Sequence, residues 1–298
     1  MNNNKENKPR IIVVLGPTAT GKSDIAVAIA KKVNGEIISA DSRQVYKGMD
    51  LGSGKITKTE MSGIKHYLLD VVSPKTLFSV SKYKELADKA IEEIISKGKT
   101  PIICGGTGFY IDSIVKNISL PEVKPNQTLR AKLDKLTVEK LFEMLKKLSP
   151  SRAKNIDKQN KVRLIRAIEI AKALGEVPEI VEKPSKYKFT LIGLDMSDDV
   201  LKLRISKRLT KRIEAGMITE IKKLHKQGVS WKRLESFGLE YRQTAYYLQD
   251  KITAEQMIEN LENEIWHFVK RQRTWFKRDK NIKWFNPLKI KPILDSVK

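Results

Sequence analysis

The sequence predicts an α/β protein with a parallel sheet core, a helical insertion and a helical C-terminal region. Short, unbroken apolar runs alternate with helical patterns in the first 120 residues, and such runs are typical of parallel strands buried on both faces. Beyond residue 195, apolar residues recur mainly at helical spacing in a chain of 298 residues. That length exceeds the roughly 100 to 200 residues of a usual domain, which agrees with a core that carries an insertion.

The core elements alternate in order along the chain. We predict strands at residues 11–15, 36–40, 66–72 and 101–104, and helices at residues 23–33 and 81–97. An apolar run at residues 187–194 then returns the chain to the sheet. Strands that alternate with helices in this way form parallel sheets covered on both faces. The predicted core therefore comprises residues 1–120 together with residues 187–298.

Residues 121–186 are predicted to form the helical insertion domain. Pro121 and Pro125 interrupt the core pattern, and Thr137 can cap a helix whose apolar residues follow a period of 3.6. A second helix, at residues 161–174, should stop at Gly175, because glycine readily adopts the backbone conformation that ends helices.

Two patterns mark the C-terminal helices. Arg204, Arg208 and Arg212 stand at four-residue spacing, so they form one row on a helix, beside an apolar row. The last long helix should bury one face, made of Met257, Ile258, Leu261, Ile265, Phe268, Gln272, Trp275 and Phe276. We expect Phe268, Trp275 and Phe276 to lie in the core, the alternative being a platform for stacked bases.

The positive charge is concentrated in the later part of the chain. The net charge is +23, of which residues 1–120 carry +6 and the remainder +17. Such an excess usually indicates a polyanionic partner, although solvated lysine-rich helix faces would give the same composition.

Composition also excludes several classes of protein. No run approaches the ~18 apolar residues that span a bilayer, and the polar N-terminal residues lack the apolar segment of a secretory signal. Cys104 is the single cysteine, so neither an internal disulfide nor a zinc site built on paired cysteines is available. His66, His225 and His267 show no metal-ligand spacing. We expect a cytoplasmic protein that acts as a monomer.

The sharpest motif is a phosphate-binding loop of the nucleotide- and ATP-binding type. It lies between a predicted strand and a predicted helix and comprises Gly16, Pro17, Thr18, Ala19, Thr20, Gly21, Lys22 and Ser23. In such loops backbone amides surround a phosphate, the lysine neutralises it and the last hydroxyl ligates Mg²⁺. The motif makes the core P-loop NTPase-like. It specifies a di- or triphosphate without identifying what carries it.

Two further residues are expected at the same edge of the sheet. Asp41 follows the second strand and Thr107 follows the strand at residues 101–104, and the carboxyl ends of parallel strands share one edge. Asp41 can act as a base or hold Mg²⁺ through water, or it can cap the next helix through the amides of Arg43 or Gln44. Thr107 can equally be a simple turn residue. The strand at residues 101–104 does not end in an acidic residue, so the metal site of a motor ATPase is incomplete. The sequence therefore favours group transfer over nucleotide-driven motion.

Several segments occur in a characteristic order: residues 16–23, 41–55, 66–70, 78–80, 105–110, 163–169 and 270–276. Together they resemble the tRNA dimethylallyltransferases, also called tRNA isopentenyltransferases. The resemblance extends from about residue 11 to residue 286. Two features depart from the family pattern: Arg212 stands where the family often has methionine, and two additional residues separate Gly238 from Tyr241.

The resemblance implies transfer of a dimethylallyl group from dimethylallyl diphosphate to N6 of the adenosine 3′-adjacent to the anticodon. The substrates would be tRNAs that read codons beginning with U. Thr18, Lys22 and Arg208 would stabilise the leaving diphosphate, together with Mg²⁺ on Ser23. Asp41 would accept the proton of the attacking amine. Arg208 is chosen from a row of three, each of which can instead be a surface or phosphate-positioning arginine.

The same resemblance implies a set of tRNA-binding residues. The residues expected at the target adenosine are Asp41, Ser42, Arg43 and Gln44. The others are Thr107, Arg130, Val162, Arg163, Leu164, Ile165, Arg166, Tyr241 and Arg242. Arg163 and Arg166 share one helix face and suit backbone phosphates, the alternative for them being ion pairs with acids such as Glu169.

Two other functions remain open on the sequence. A P-loop small-molecule kinase would explain the first segment but gives no reason for the basic C-terminal part. A nucleic-acid-binding ATPase would explain the charge and the phosphate loop, but it needs the acid that the strand at residues 101–104 lacks.

Overall fold

A computed structural model describes residues 8–297, which form six strands and fourteen helices. The strands are β1 (Arg10–Leu15), β2 (Gly35–Ser39), β3 (His66–Tyr67), β4 (Thr100–Gly105), β5 (Lys188–Leu194) and β6 (Lys283–Phe285). They form one sheet in the order β3-β2-β4-β1-β5-β6, and every neighbouring pair is parallel. The predicted α/β class with a parallel sheet is confirmed.

Four helices lie between or after the first strands: α1 (Lys22–Val33), α2 (Lys58–Met61), α3 (Val80–Ser96) and α4 (Gly108–Val115). Four follow in the middle of the chain: α5 (Gln127–Asp134), α6 (Val138–Leu148), α7 (Pro150–Lys154) and α8 (Lys161–Leu174). The last six are α9 (Asp198–Glu214), α10 (Met217–Lys226), α11 (Trp231–Phe237), α12 (Leu239–Tyr247), α13 (Ala254–Phe276) and α14 (Ile290–Asp295). None of the described helices is long and apolar enough to cross a membrane.

Strand β1 lies inside the sheet and is buried on both faces. Ile11, Val13 and Leu15 pack with residues of α3 and α4, whereas Ile12 and Val14 pack with residues of α1. Successive side chains of a strand point to opposite faces, so an unbroken apolar run serves two layers of helices. This explains why the sequence of β1 shows no polar alternation.

The predicted strand at residues 66–72 was too long. Only His66 and Tyr67 pair with β2, because Leu68 and Asp70 adopt positive φ angles of 62° and 56°. Backbone in this region leaves the extended conformation and ends the ladder. The amides of Asp70 and Val71 donate instead to the carbonyls of Gln44 and Val45.

The C-terminal helices share a separate apolar core. The apolar row predicted beside the arginines consists of Leu201, Ile205, Leu209 and Ile213 of α9. The first three are buried in this core, and Ile213 packs against it. The buried face of α13 is made of Met257, Leu261, Ile265, Val269, Gln272 and Phe276. Two residues assigned to this face were placed wrongly, since Ile258 is 40% exposed and Phe268 is only half-buried. Both are one position from the buried row, which turns their side chains about 100° away from it.

The chain divides into two compact units. One contains the residues up to Lys116 and from Ser185 onward, and the other is Asn117–Pro184. Helices α5 to α8 of the second unit enclose their own core, which includes Leu133, Leu141 and Leu164. As predicted, the side chain of Thr137 caps α6, and α8 ends before Gly175.

Candidate active site

The phosphate loop joins β1 to α1 and has the backbone that its sequence requires. Gly16 has a φ of 143°, and a Cβ there would lie 2.2 Å from the carbonyl oxygen of Leu194. No other residue fits that position. Gly21 precedes α1 without any side-chain cap on the helix. The first amides of α1 are thus available to an anion, which the helix dipole also attracts.

Lys22 is held inside this loop. Its Nζ donates to the carbonyl oxygen of Pro17 at 2.6 Å. Burial, and to a smaller extent the positive charge of Arg208, lower the pKa of Lys22 to about 8, although Asp41 acts in the opposite direction. A lysine in this environment gains its full charge when a phosphate arrives to pair with it.

Of the three arginines in the predicted row, Arg208 hydrogen-bonds to the phosphate loop, and Nη2 of Arg204 lies beside Gly21 of the same loop, 3.4 Å from where a Cβ would be. Its Nη1 donates to Oγ1 of Thr18 and its Nη2 to the carbonyl oxygen of Gly54, both at 3.4 Å. Burial, and then the neighbouring Arg212, lower the pKa of Arg208 to about 10. Arg212 itself pairs with Glu240 at 3.0 Å. Thr18, Arg208, Arg212 and Glu240 line one small cavity with Ala19, Ile205, Leu209 and Ile265.

Asp41 lies two residues beyond the end of β2, and one of its oxygens caps a turn, since the next helix begins only at Lys58. Its Oδ1 accepts hydrogen bonds from the amides of Arg43 at 2.8 Å and Gln44 at 3.4 Å. No described residue donates to Oδ2. The capping interaction therefore orients the carboxylate and leaves its second oxygen available to accept a proton.

A glycine-rich turn after β4 supports the Asp41 segment. Thr107 donates its amide to the carbonyl oxygen of Ala40 at 3.1 Å, and its Oγ1 accepts from the amide of Ser42 at 3.0 Å. Thr107 thus holds the backbone of both neighbours of Asp41, Ala40 through its own amide and Ser42 through its side chain.

Gln272 of α13 is a site residue that no sequence motif indicated. Its Oε1 accepts from the amide of Thr18 at 2.9 Å, and its Nε2 donates to the carbonyl oxygen of Gly106 at 2.9 Å. A polar residue within the predicted apolar face of the last helix was the signal that could have identified it.

The residues present suit a cation that is bound chiefly through a substrate. No described group of three His, Cys, Asp or Glu side chains could hold a metal ion. Strand β4 ends at Gly105, and burial raises the pKa of its Cys104 to about 12, so this thiol stays protonated. Mg²⁺ commonly binds through one or two protein oxygens together with substrate phosphates. The hydroxyl of Ser23, at the start of α1, is an oxygen of this kind.

Two predicted tRNA-binding arginines of the second unit bind the same buried acid. Nε and Nη2 of Arg130 donate to the two carboxylate oxygens of Glu169 at 2.9 and 2.7 Å, and Arg166 also donates to it. Burial by itself would raise the pKa of Glu169, but hydrogen bonds from Arg130, Asn126 and Arg166 lower it below the usual value. The ion-pair alternative is realised for Arg166.

The predicted run at residues 162–166 is divided between surface and core. Leu164 and Ile165 are buried in the core of the second unit. Val162 is 77% exposed, and the side chain of Arg163 is 58% exposed with Asp157 4.0 Å away. Only part of this run can meet a partner in this conformation.

Tyr241 and Arg242 are tied to neighbouring acids. Tyr241 is 1% exposed, and its hydroxyl donates to Glu220 at 3.2 Å. Arg242 pairs with Glu264 at 2.8 Å. The two additional residues after Gly238 form the first turn of α12, which begins at Leu239. They lie within a helix and form no loop.

Comparison with known proteins shows the family of this chain. A model of the family described as IPP transferase matches residues 44–279. The chain belongs to the IPP transferase family. The chain is also 41% identical over 285 residues to the tRNA dimethylallyltransferase of Acetivibrio thermocellus, which covers 93% of this chain and 91% of the relative. The corresponding protein of Halalkalibacterium halodurans is 38% identical over 94% of this chain and 91% of its own length.

Solved structures agree with the IPP transferase assignment. The tRNA isopentenylpyrophosphate transferase from Bacillus halodurans superimposes with a TM-score of 0.73 at 35% identity, covering 97% of this chain and 95% of the other. A eukaryotic dimethylallyltransferase acting on tRNA, 23% identical, has the same fold with a TM-score of 0.78 over 94% of this chain and 74% of its own. The IPP transferase match begins at Gln44, so the phosphate loop and Asp41 are covered only by these longer pairwise comparisons.

Proposed function

We propose that the protein transfers the dimethylallyl group of dimethylallyl diphosphate to N6 of the adenosine 3′-adjacent to the anticodon, in tRNAs that read codons beginning with U. The observation that carries this proposal is the convergence of Arg208 and Thr18 at the phosphate loop, on the edge of the sheet where Asp41 follows β2. The names of the relatives support a tRNA prenyltransferase over a small-molecule kinase.

The residues of this edge match the charges that the reaction creates. The N6 nitrogen forms a bond to C1 of the dimethylallyl group as the bond from C1 to the diphosphate oxygen breaks. Negative charge grows on the diphosphate, where Lys22, Arg208 and Thr18 can stabilise it by hydrogen bonds that strengthen in the transition state. The nitrogen becomes more acidic as its new bond forms, and Asp41 accepts its proton.

Mg²⁺ bound by the Ser23 hydroxyl and the diphosphate oxygens would neutralise part of the charge on the leaving group. Within residues 8–297 no cluster of carboxylates is available to hold the cation besides this hydroxyl. We therefore expect the cation to bind together with the donor and to be lost with the diphosphate.

We propose that the tRNA-binding surface is formed by the residues that the family resemblance implies. The role of each residue depends on how exposed its side chain is. Arg163 is the clearest candidate for a phosphate contact, since its side chain is 58% exposed. Ser42, Arg43 and Gln44 follow Asp41 and are proposed to contact the target adenosine with it. Thr107 is proposed to contact the tRNA. Tyr241 is proposed to act indirectly, through its bond to Glu220.

The test is a transfer assay with labelled dimethylallyl diphosphate, Mg²⁺ and tRNAs whose third anticodon nucleotide is A. The matched control is the same tRNA with guanosine in place of the adenosine that follows the anticodon. We expect label in the first tRNA and none in the second. Turnover of ATP without any labelled tRNA would contradict the proposal and favour the kinase or ATPase.

A further inference from the structure

Gln272 is a buried amide inside an apolar row. It is 5% exposed, and its neighbours on the same face of α13 are Val269 and Phe276, both buried. A buried primary amide is costly unless its oxygen and its nitrogen both find partners. The two partners of Gln272 therefore indicate what the side chain is for.

Both partners are backbone groups of loops at the active site. Thr18 provides an N–H, which requires an oxygen opposite it, and Gly106 provides a carbonyl, which requires a donor. This pairing fixes the orientation of the amide without ambiguity. Thr18 belongs to the phosphate loop, and Gly106 precedes Thr107, whose hydroxyl accepts from the amide of Ser42.

We propose that Gln272 is a positioning residue that holds the phosphate loop in register with the segment that carries Asp41. This inference rests on the proposed function, and it adds a residue that does not touch the reacting atoms. The loop that would bind the leaving diphosphate is not the segment that carries the proton acceptor Asp41. The side chain of Gln272 joins Thr18 of the phosphate loop to the turn that supports the Asp41 segment. A misplacement of about 1 Å between such groups can lower a rate about 100-fold.

The first test compares Gln272→Ala with Gln249→Ala. Gln249 is a suitable control because its side chain also makes two hydrogen bonds, both donated by Nε2, to Glu235 and to the carbonyl of Ala245, in a different part of the same unit. We expect Gln272→Ala to lower kcat about 10- to 100-fold, with tRNA affinity within about twofold of the wild type. Gln249→Ala should retain the wild-type kcat. Equal kcat values for both variants and the wild type would overturn the proposal.

A second variant separates positioning from a general loss of packing. In Gln272→Glu, the introduced carboxylate can still accept from Thr18 but cannot donate to Gly106, and its charge also repels a bound diphosphate. Once protonated it can donate again, and burial beside a carbonyl favours the protonated form. The ratio of its kcat to that of the wild type should therefore rise as the pH falls from 8 to 6. A constant ratio would contradict the proposed role.

Gly106 allows the same contact to be disturbed from the other side. A Cβ at this position would lie 2.4 Å from Nε2 of Gln272, so Gly106→Ala must displace the amide. We expect Gly106→Ala to lower kcat as Gln272→Ala does, and the double variant to be no slower than either single one. Additive losses would show that the two residues act separately.

The wild-type assay distinguishes the two levels of the proposal. If the wild type transfers no label, the proposed function fails. If it transfers label while the Gln272 variants match Gln249→Ala, only the positioning role fails. Amide exchange at Thr18, measured by NMR, should accelerate in Gln272→Ala and remain unchanged in Gln249→Ala.

Discussion

We propose that Asp41 combines the capping and proton-accepting roles that the sequence left as alternatives. Its Oδ1 caps the amides of Arg43 and Gln44, while no described residue donates to Oδ2. Asp41→Asn keeps an oxygen for the cap and removes the base. We expect kcat to fall about 10²- to 10⁴-fold, the usual contribution of a general base, with tRNA affinity nearly unchanged. Single-turnover transfer and filter binding measure the two quantities. Near-normal kcat in Asp41→Asn would remove Asp41 as the base.

Lys22 should make diphosphate binding depend on pH. Its pKa of about 8 in the free protein lies well below its ordinary value because the side chain is buried. An anion bound beside it raises that pKa again, so binding near pH 8 to 9 takes up a proton. Affinity for inorganic diphosphate should therefore weaken as the pH rises through 8. Calorimetry in two buffers of different ionisation enthalpy measures the uptake, and Lys22→Met should abolish it.

The choice of Arg208 from its row could be made from the sequence only in part. Four-residue spacing places Arg204, Arg208 and Arg212 on one face but cannot say which of them reaches Thr18. The answer depends on where α9 lies relative to the phosphate loop, and Arg212 is drawn instead to Glu240. Contacts between elements far apart in the chain carry no local pattern in the sequence. Gln272 and Thr18 are separated by 254 positions.

At the level of elements, local signals predicted helices better than they predicted β3. Thr137 and Gly175 are residue types that favour helix ends. In the structure, the side chain of Thr137 caps the start of α6 and Gly175 follows the end of α8. Strand β3 is short because Leu68 and Asp70 leave the extended region and the following amides bond to residues 44 and 45. Asp70 is the one residue of this segment whose type is common in turns, and the apolar residues around it suggested a longer strand.

Helix α10 anchors the loop that leads to Gly54. The carboxylate of Glu220 accepts from three consecutive amides, those of Asp50, Leu51 and Gly52, at 3.0, 2.6 and 3.1 Å. Amides that converge on a carboxylate form stronger bonds than those to a neutral oxygen. Glu220→Gln should therefore destabilise the protein by about 1 to 3 kcal/mol.

Urea unfolding of Glu220→Gln measures this loss. The matched control is Glu214→Gln, which changes an exposed carboxylate at the end of α9 and should alter stability by less than about 0.5 kcal/mol. Gly54 receives hydrogen bonds from Arg208 and Gln44, so transfer activity should fall together with stability. A fall in activity without any loss of stability would contradict the anchoring role.

At the scale of the whole molecule, the basic side chains of the C-terminal part fall into two groups. Many cations are already paired within the protein, as Arg273 is with Asp195 and Asp198. Others lie on the surface, where a folded RNA can meet them. The net charge predicted a polyanionic partner, but only the structure separates the cations that stabilise the fold from those that remain exposed.

Arg163 and Arg166 make this distinction testable within one helix. Arg163 is exposed, whereas Arg166 belongs to the group that compensates the buried Glu169. We expect Arg163→Ala to weaken tRNA binding and to reduce the slope of log affinity against log salt by about 1, with unfolding unchanged.

Arg166→Ala should instead destabilise the protein, because it removes one of the two arginines that neutralise Glu169. Any loss of tRNA binding should then disappear when affinity is corrected for the folded fraction. Binding titrations at several salt concentrations and thermal unfolding of both variants measure these outcomes. If Arg166→Ala reduces the salt slope while the protein stays fully stable, Arg166 leaves Glu169 in the complex and contacts the RNA itself. Arg130, which holds the same carboxylate through two bonds, would then carry the compensation alone.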